Sequence, residues 1–218
     1  MVVPSLSSLK EKRAKLEKHI ATKIPGFQIK AKNESALMKT LALFLFFVKG
    51  FLTKFTTTWF PDIYFPRLPY KMVVNEAYNE ALMIITISHE YIHLKDRKRL
   101  WWLFNLLYLS PQVFAVVGLF GFFFPILFLA LLFALPLPSL GRAYLEYRGY
   151  RTSMAVTWWL LQTERTPESM TAHFTSADYY YMMPFKKYMI RKFEKDMIRI
   201  KNDDLTEELR ELKTVLFE

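Results

Sequence analysis

A chain of 218 residues supplies one domain-sized core and is short for two full domains, and at 52% hydrophobic and 17% aromatic it is richer in apolar side chains than ordinary soluble domains. Cysteine is absent, which excludes disulfides and thiolate ligands, so any metal must be held by histidine and carboxylate donors. The net charge of +10 favours a polyanionic partner; anionic lipid fits better than nucleic acid, for which the sequence contains no recognised base-reading module.

The first segment, MVVPSLSSLKEKRAKLEKH, is charged and helical in pattern and does not read as a secretory signal. Over residues 5–24, Leu6, Leu9, Leu16 and Ile20 fall near one helical face, Ser8 and Glu11 have capping-box spacing, and His19 is expected on the solvated basic side. The apolar run LALFLFFV at residues 41–48 is too short to span a bilayer and predicts a core helix, with an interfacial helix as the other reading. Residues 56–69, TTTWFPDIYFPRLP, combine threonines and aromatics with Pro61, Pro66 and Pro69. They predict an edge strand and a turn, because proline cannot donate to a central ladder.

From Val73 to about Arg99 the pattern is helical, and it contains His89, Glu90, Tyr91, Ile92 and His93 in the order HExxH. A spacing of four residues sets both imidazoles on one helical face, where they can share a zinc ion. Glu90 lies beside them, placed to take a proton from an activated water. The plainer reading is two hydrogen-bonded helix histidines and a solvated glutamate; in a chain with four histidines, the metal reading is the stronger.

Residues 100–141 carry no Asp, Glu, Lys or Arg and are about twice as long as the roughly 20 residues that one helical crossing needs. They predict a hydrophobic helical hairpin inserted in the domain. Two crossings return the chain to the side it left, so that His93 and a ligand beyond the hairpin meet at one metal. Lys95, Arg97, Lys98 and Arg99 before the stretch, and Arg142, Arg148 and Arg151 after it, orient both ends to the cytoplasm. Pro111, Pro125, Pro136 and Pro138 are frequent for ideal spans, and burial within protein, in a soluble or virion-packed chain, is the competing expectation.

Residues 141–162 are again helical in pattern, and Glu146 lies on this segment as the leading candidate for a third ligand; Glu164, Glu168, Asp178 and His173 are its rivals, and pairing with Arg142 or Arg148 is its plainer role. Pro167 and Glu168 mark a new helix start. His173, Tyr147 and Tyr150 are candidates to donate to the oxyanion that forms on a scissile carbonyl. The Tyr and Met cluster at residues 179–183 reads as packing before it reads as a substrate cleft. The basic tail predicts two amphipathic helices divided near residues 202–204, suited to a membrane surface or to solvent alike.

HExxH, an apolar hairpin and a glutamate in a helix that opens Arg-Ala together resemble the membrane zinc peptidases of the HtpX type, a gluzincin arrangement, over roughly residues 55–160. The compact size and the segment FFVKGFLTKFTTTWFPDIYFP, residues 46–66, also look similar to peptidases encoded by tailed bacteriophages. The resemblance implies a mostly α fold with a small β edge element, a minimal zincin-like domain over residues 1–218. It further implies Zn2+ held by His89, His93 and Glu146, with Glu90 as general base. A peptide or protein substrate is expected to pair with the strand that carries Trp59, Ile63 and Tyr64. The family commonly has Glu-x-x-Ala-Asp at the third ligand, and here Glu146 is followed by Tyr147, Arg148, Gly149 and Tyr150, so the ligand-orienting aspartate is replaced. Zinc-dependent endopeptidase at a membrane, its site facing the cytoplasm, is thus the first expectation. A structural or membrane-inserting virion protein with a vestigial zincin fold and protein assembly partners is the second.

Overall fold

The computed structural model describes residues 4–44, 50–68, 73–135, 137–176 and 181–218. Asp178, Pro69, Pro136, the second half of the apolar run at residues 41–48 and the first part of the cluster at 179–183 lie outside the described residues. The architecture is mostly α with one small sheet, as the sequence pattern predicts. The chain divides into two compact units, Met1–Leu94 with Ala155–Thr163 and Leu205–Glu218, and Lys95–Met154 with Glu164–Asp204.

The first unit opens with α1 (Leu6–Lys23), which buries Leu9, Leu16 and Ile20. Its cap is Ser5, whose hydroxyl accepts from the Ser8 amide; the Ser8 and Glu11 pair therefore lies inside the helix, because Ser5 meets the unsatisfied first-turn donors one turn earlier. A strand that the sequence pattern did not single out follows, β1 (Ile29–Ala31). After a 3-10 turn (Lys32–Glu34) comes α2 (Ala36–Phe44), then β2 (Thr57–Trp59) and β3 (Asp62–Phe65). The sheet order is β1-β3-β2, with β3 parallel to β1 and antiparallel to β2.

The long helix α3 begins at Glu76 and ends at Leu100. Its Ala81, Ile84, Ile87 and Ile92 join Leu16, Ile20, Ile63 and Phe65 in one apolar core with Val156 and Leu160. The terminal helix α8 (Glu207–Phe217) closes that core with Leu212 and Leu216 and packs on α1. Burial of this kind contributes about 25 cal/mol per Å² of apolar surface and dominates the unit's stability.

In the second unit, Trp101 adopts φ 51°, a left-handed conformation that ends α3 and starts α4 (Trp102–Leu109). Two 3-10 helices follow, Gln112–Phe122 and Pro125–Ala134, and they form an antiparallel hairpin. Then come α5 (Leu140–Leu161), α6 (Pro167–Thr175), which has Pro167 at its first turn and Thr166 as cap, and α7 (Lys186–Lys201). The apolar face of α7 is buried through Met189, Phe193, Met197 and Ile200, with Phe193 against Phe174 and Tyr147. No single helix among the described residues is long and apolar enough to cross a membrane. The pair Trp102–Leu109 and Gln112–Phe122 reaches that length and apolarity together and is bent by 84°.

Candidate metal centre

His89 and His93 lie one turn apart on α3, and their Nε2 atoms are 3.1 Å from each other. Two nitrogens each at roughly 2.05 Å from a tetrahedral zinc stand about 3.3 Å apart, so this separation fits a shared ion. Glu146, on α5, is the carboxylate that joins them: one ligand atom from each of His89, His93 and Glu146 lies within 4.8 Å of the other two. His93 and Glu146 are buried and His89 is half-buried. Two nitrogens and one oxygen make a donor set able to hold a metal ion.

The third donor is steered by a residue that sequence reasoning missed. Tyr108, on α4, donates its hydroxyl to Glu146 Oε1 at 2.6 Å. Tyr108 is itself held from the backbone side, since Arg142 Nε donates to its carbonyl at 2.7 Å and Arg142 Nη2 donates to Gln112 Oε1 at 3.1 Å. Arg148 pairs with the buried Asp96 at 3.1 Å. Both arginines proposed as plain partners for Glu146 are thus engaged with other groups as well. Of the rival ligands, Glu164 forms an exposed ion pair with Lys201, Glu168 sits exposed in the first turn of α6, and His173 stacks on Tyr150 with ring centres 4.8 Å apart.

Glu90 sits next to the ligands on α3 but meets the sheet. Thr58, in the middle of β2, donates its hydroxyl to Glu90 Oε2 at 2.6 Å. A carboxylate so held keeps its second oxygen for another proton donor. Lys32 stands behind this pair. Its side chain is fully buried, its ammonium donates to the Phe51 carbonyl at 2.7 Å, and burial brings its pKa down to about 8, against the pull of the Glu90 carboxylate.

The substrate-strand expectation needs correction for two of its residues. Ile63 and Tyr64 lie on β3, which is paired on both sides and buried, so their backbone is already spent on the ladder. β2, like β1, lies at an edge of the sheet, and Trp59 is its exposed residue. Tyr147 is also corrected as an oxyanion donor: its one hydroxyl proton goes to Asp196 on α7, and burial, reinforced by that bond, pushes its ionisation to higher pH. His19 is half-buried and hydrogen-bonded to Glu211 at 2.7 Å, and Tyr91, the central residue of the HExxH run, donates to the same carboxylate oxygen at 2.9 Å. The non-ligand side of the motif is therefore pinned to α1 and α8.

No known protein family, curated protein or solved structure matches this chain.

Proposed function

We propose that this chain is a zinc-dependent endopeptidase in which His89, His93 and Glu146 hold the ion and Glu90 is the general base. The observation that carries the reading is the convergence of those three ligand atoms beside a glutamate that faces an edge strand. Two imidazoles and a carboxylate favour zinc among divalent ions, and three protein ligands leave the fourth position that a catalytic site needs. When bound, zinc supplies a Lewis acid that acidifies water and polarises the scissile carbonyl.

The chain's own residues do the rest. An extended peptide adds to the outer edge of β2 by main-chain hydrogen bonds, which aligns its backbone with α3. Glu90, held through Oε2 by Thr58, takes a proton from the attacking water at Oε1 and passes it to the leaving amide nitrogen. The C–N bond breaks once the new C–O bond has formed, giving a carboxylate and an amine. Tyr150 and His173, stacked together, are the remaining donors for the oxyanion. The site faces the cytoplasmic side of a membrane, the side that the basic residues flanking the apolar hairpin favour.

The test pairs metal content with cleavage. Purified wild type is expected to hold about one zinc per chain and to cleave casein, His93→Ala to lose the zinc, and Glu90→Gln to keep the zinc and lose cleavage. A wild-type chain without metal, or cleavage indifferent to Glu90→Gln, overturns the reading and leaves the structural, virion-type protein. Zinc without cleavage reduces the site to a structural one.

A further inference from the structure

The apolar hairpin has features that the catalytic reading does not use. Its limbs, Gln112–Phe122 and Pro125–Ala134, are 3-10 helices, in which residues three apart eclipse one another. Gly118 and Gly121 therefore share a face, and both are buried. A Cβ on Gly118 would come within 2.5 Å of Leu131, and one on Gly121 within 2.6 Å of Phe128. The two limbs meet across this glycine face, with Phe114 edge-on to Phe133 at 6.0 Å, and the helical hydrogen bonds of each limb close internally. Much of the remaining surface is apolar and turned outward: at the turn Phe122 is 85% and Phe123 78% exposed. So large an apolar surface on a folded element marks a binding face.

Length decides what kind of face it is. At about 2.0 Å per residue, limbs of 11 and 10 residues reach roughly 20 to 22 Å. A bilayer is about 40 to 45 Å thick with its headgroups and has a hydrocarbon core of about 30 Å. The limbs match half a bilayer and fall short of a crossing. At the neck, α4 turns away from the first limb by 84°, the angle of a helix lying along the surface while the limb descends. Trp101 and Trp102 are exposed there, next to the basic run Arg97, Lys98 and Arg99. On the other leg the Ser139 amide donates to the Met182 carbonyl, which ties the hairpin to a recess of about 680 Å³ lined by Leu140, Phe185, Lys186, Lys187 and Tyr188. Tryptophan, tyrosine and lysine in such a collar are the side chains of a lipid headgroup layer.

We infer that residues 101–135 form a re-entrant anchor that enters one leaflet of an anionic membrane, with Phe122, Phe123 and Phe124 leading, and returns without crossing. The limbs satisfy their backbone groups chiefly within their own helices, as lipid requires. Both ends emerge on one side, so the chain before and after the hairpin stays in the same compartment.

The chain has no cysteine, so single introduced thiols report position directly. Phe123→Cys and, as a neck control, Lys98→Cys are bound to phosphatidylcholine vesicles with and without phosphatidylglycerol. Binding is expected to be at least tenfold stronger with phosphatidylglycerol and to weaken with added salt, since the neck cations are drawn to an anionic surface. On the vesicles a fluorophore attached to the Phe123→Cys chain is quenched by nitroxides at the bilayer centre. The unlabelled thiol of that variant resists impermeant maleimide from either side, while the thiol of the Lys98→Cys variant reacts from outside. Labelling of the Phe123→Cys variant from the lumen means a crossing hairpin and overturns the inference, as does its labelling from outside in the presence of lipid. Equal binding to both vesicle types overturns the anionic preference. Replacing the three tip phenylalanines with aspartate, at positions already exposed, lowers binding by roughly a hundredfold. The Glu90→Gln chain serves equally in every arm, so the outcome stands apart from that of the peptidase reading.

Discussion

Lys32 is the side chain least expected where it is found: a lysine with no solvent exposure, whose ammonium sits 4.0 Å from the centre of the Phe51 ring. Its folded pKa of about 8 lies below the 10.5 of the free side chain. Below pH 8 both states carry the proton and the full cost of burying the charge is present, about 3 kcal/mol. Between 8 and 10.5 the unfolded chain binds the proton more tightly than the folded one, so stability rises with pH and the cost is relieved. Lys32→Met has no such window. Its unfolding free energy relative to wild type is expected to move in favour of wild type by about 3 kcal/mol between pH 7 and pH 10.5, measured by urea denaturation at each pH; a difference independent of pH would show that Lys32 titrates as a free lysine does. Nothing in the sequence pattern marks Lys32 or Thr58, because a lysine before a turn and a threonine in a strand are ordinary residues there. His89, Glu90 and His93 were legible because the helical repeat makes residues i and i+4 neighbours whatever the rest of the chain does.

At the scale of elements, periodicity located α1, α3, α5, α7 and α8, and the Pro167 start signal located α6 because Thr166 and Pro167 fix a first turn locally. It did not find β1, a three-residue strand whose pairing partner, β3, lies far along the chain. Nor did it separate β2 from β3, since which strand becomes central is decided by that distant partner. Nothing in the periodicity of the apolar stretch marks the 3-10 form of its limbs or the close approach of Gly118 and Gly121 to Leu131 and Phe128, a contact made across the turn. The same stretch supplies α4, and α4 supplies Tyr108, so the hairpin's root orients Glu146 on α5. Tyr108→Phe keeps the ring and removes only the donor. Zinc affinity, measured by competition with a chromogenic chelator, is expected to fall by about 10- to 100-fold, the usual effect of losing an outer-shell hydrogen bond to a ligand. Unchanged affinity would mean that Glu146 is positioned by α5 alone.

For the whole molecule, the metal site links folding to ligand. Glu146 and His93 are buried, and a buried carboxylate is stabilised when a cation shares its site. The three residues come from two helices separated in sequence by the entire hairpin, so the unfolded chain cannot present them together, and a metal ion held by them would bind the folded state almost exclusively. A ligand at a hundred times its Kd then adds about 2.7 kcal/mol to folding stability. In a chain of this length each kcal/mol moves the melting temperature by about 2 to 4 °C, which makes the expected rise roughly 5 to 10 °C. Scanning calorimetry in chelator and then in excess zinc measures it directly. His93→Ala is expected to melt at one temperature in both buffers, because a histidine and a carboxylate alone hold zinc too weakly to bias the equilibrium. Glu90→Gln, which changes the proposed base and none of the proposed ligands, is expected to keep the full rise. If wild type and His93→Ala rise together, the ion acts elsewhere on the chain, and the assignment of His89, His93 and Glu146 as its ligands fails irrespective of any cleavage assay.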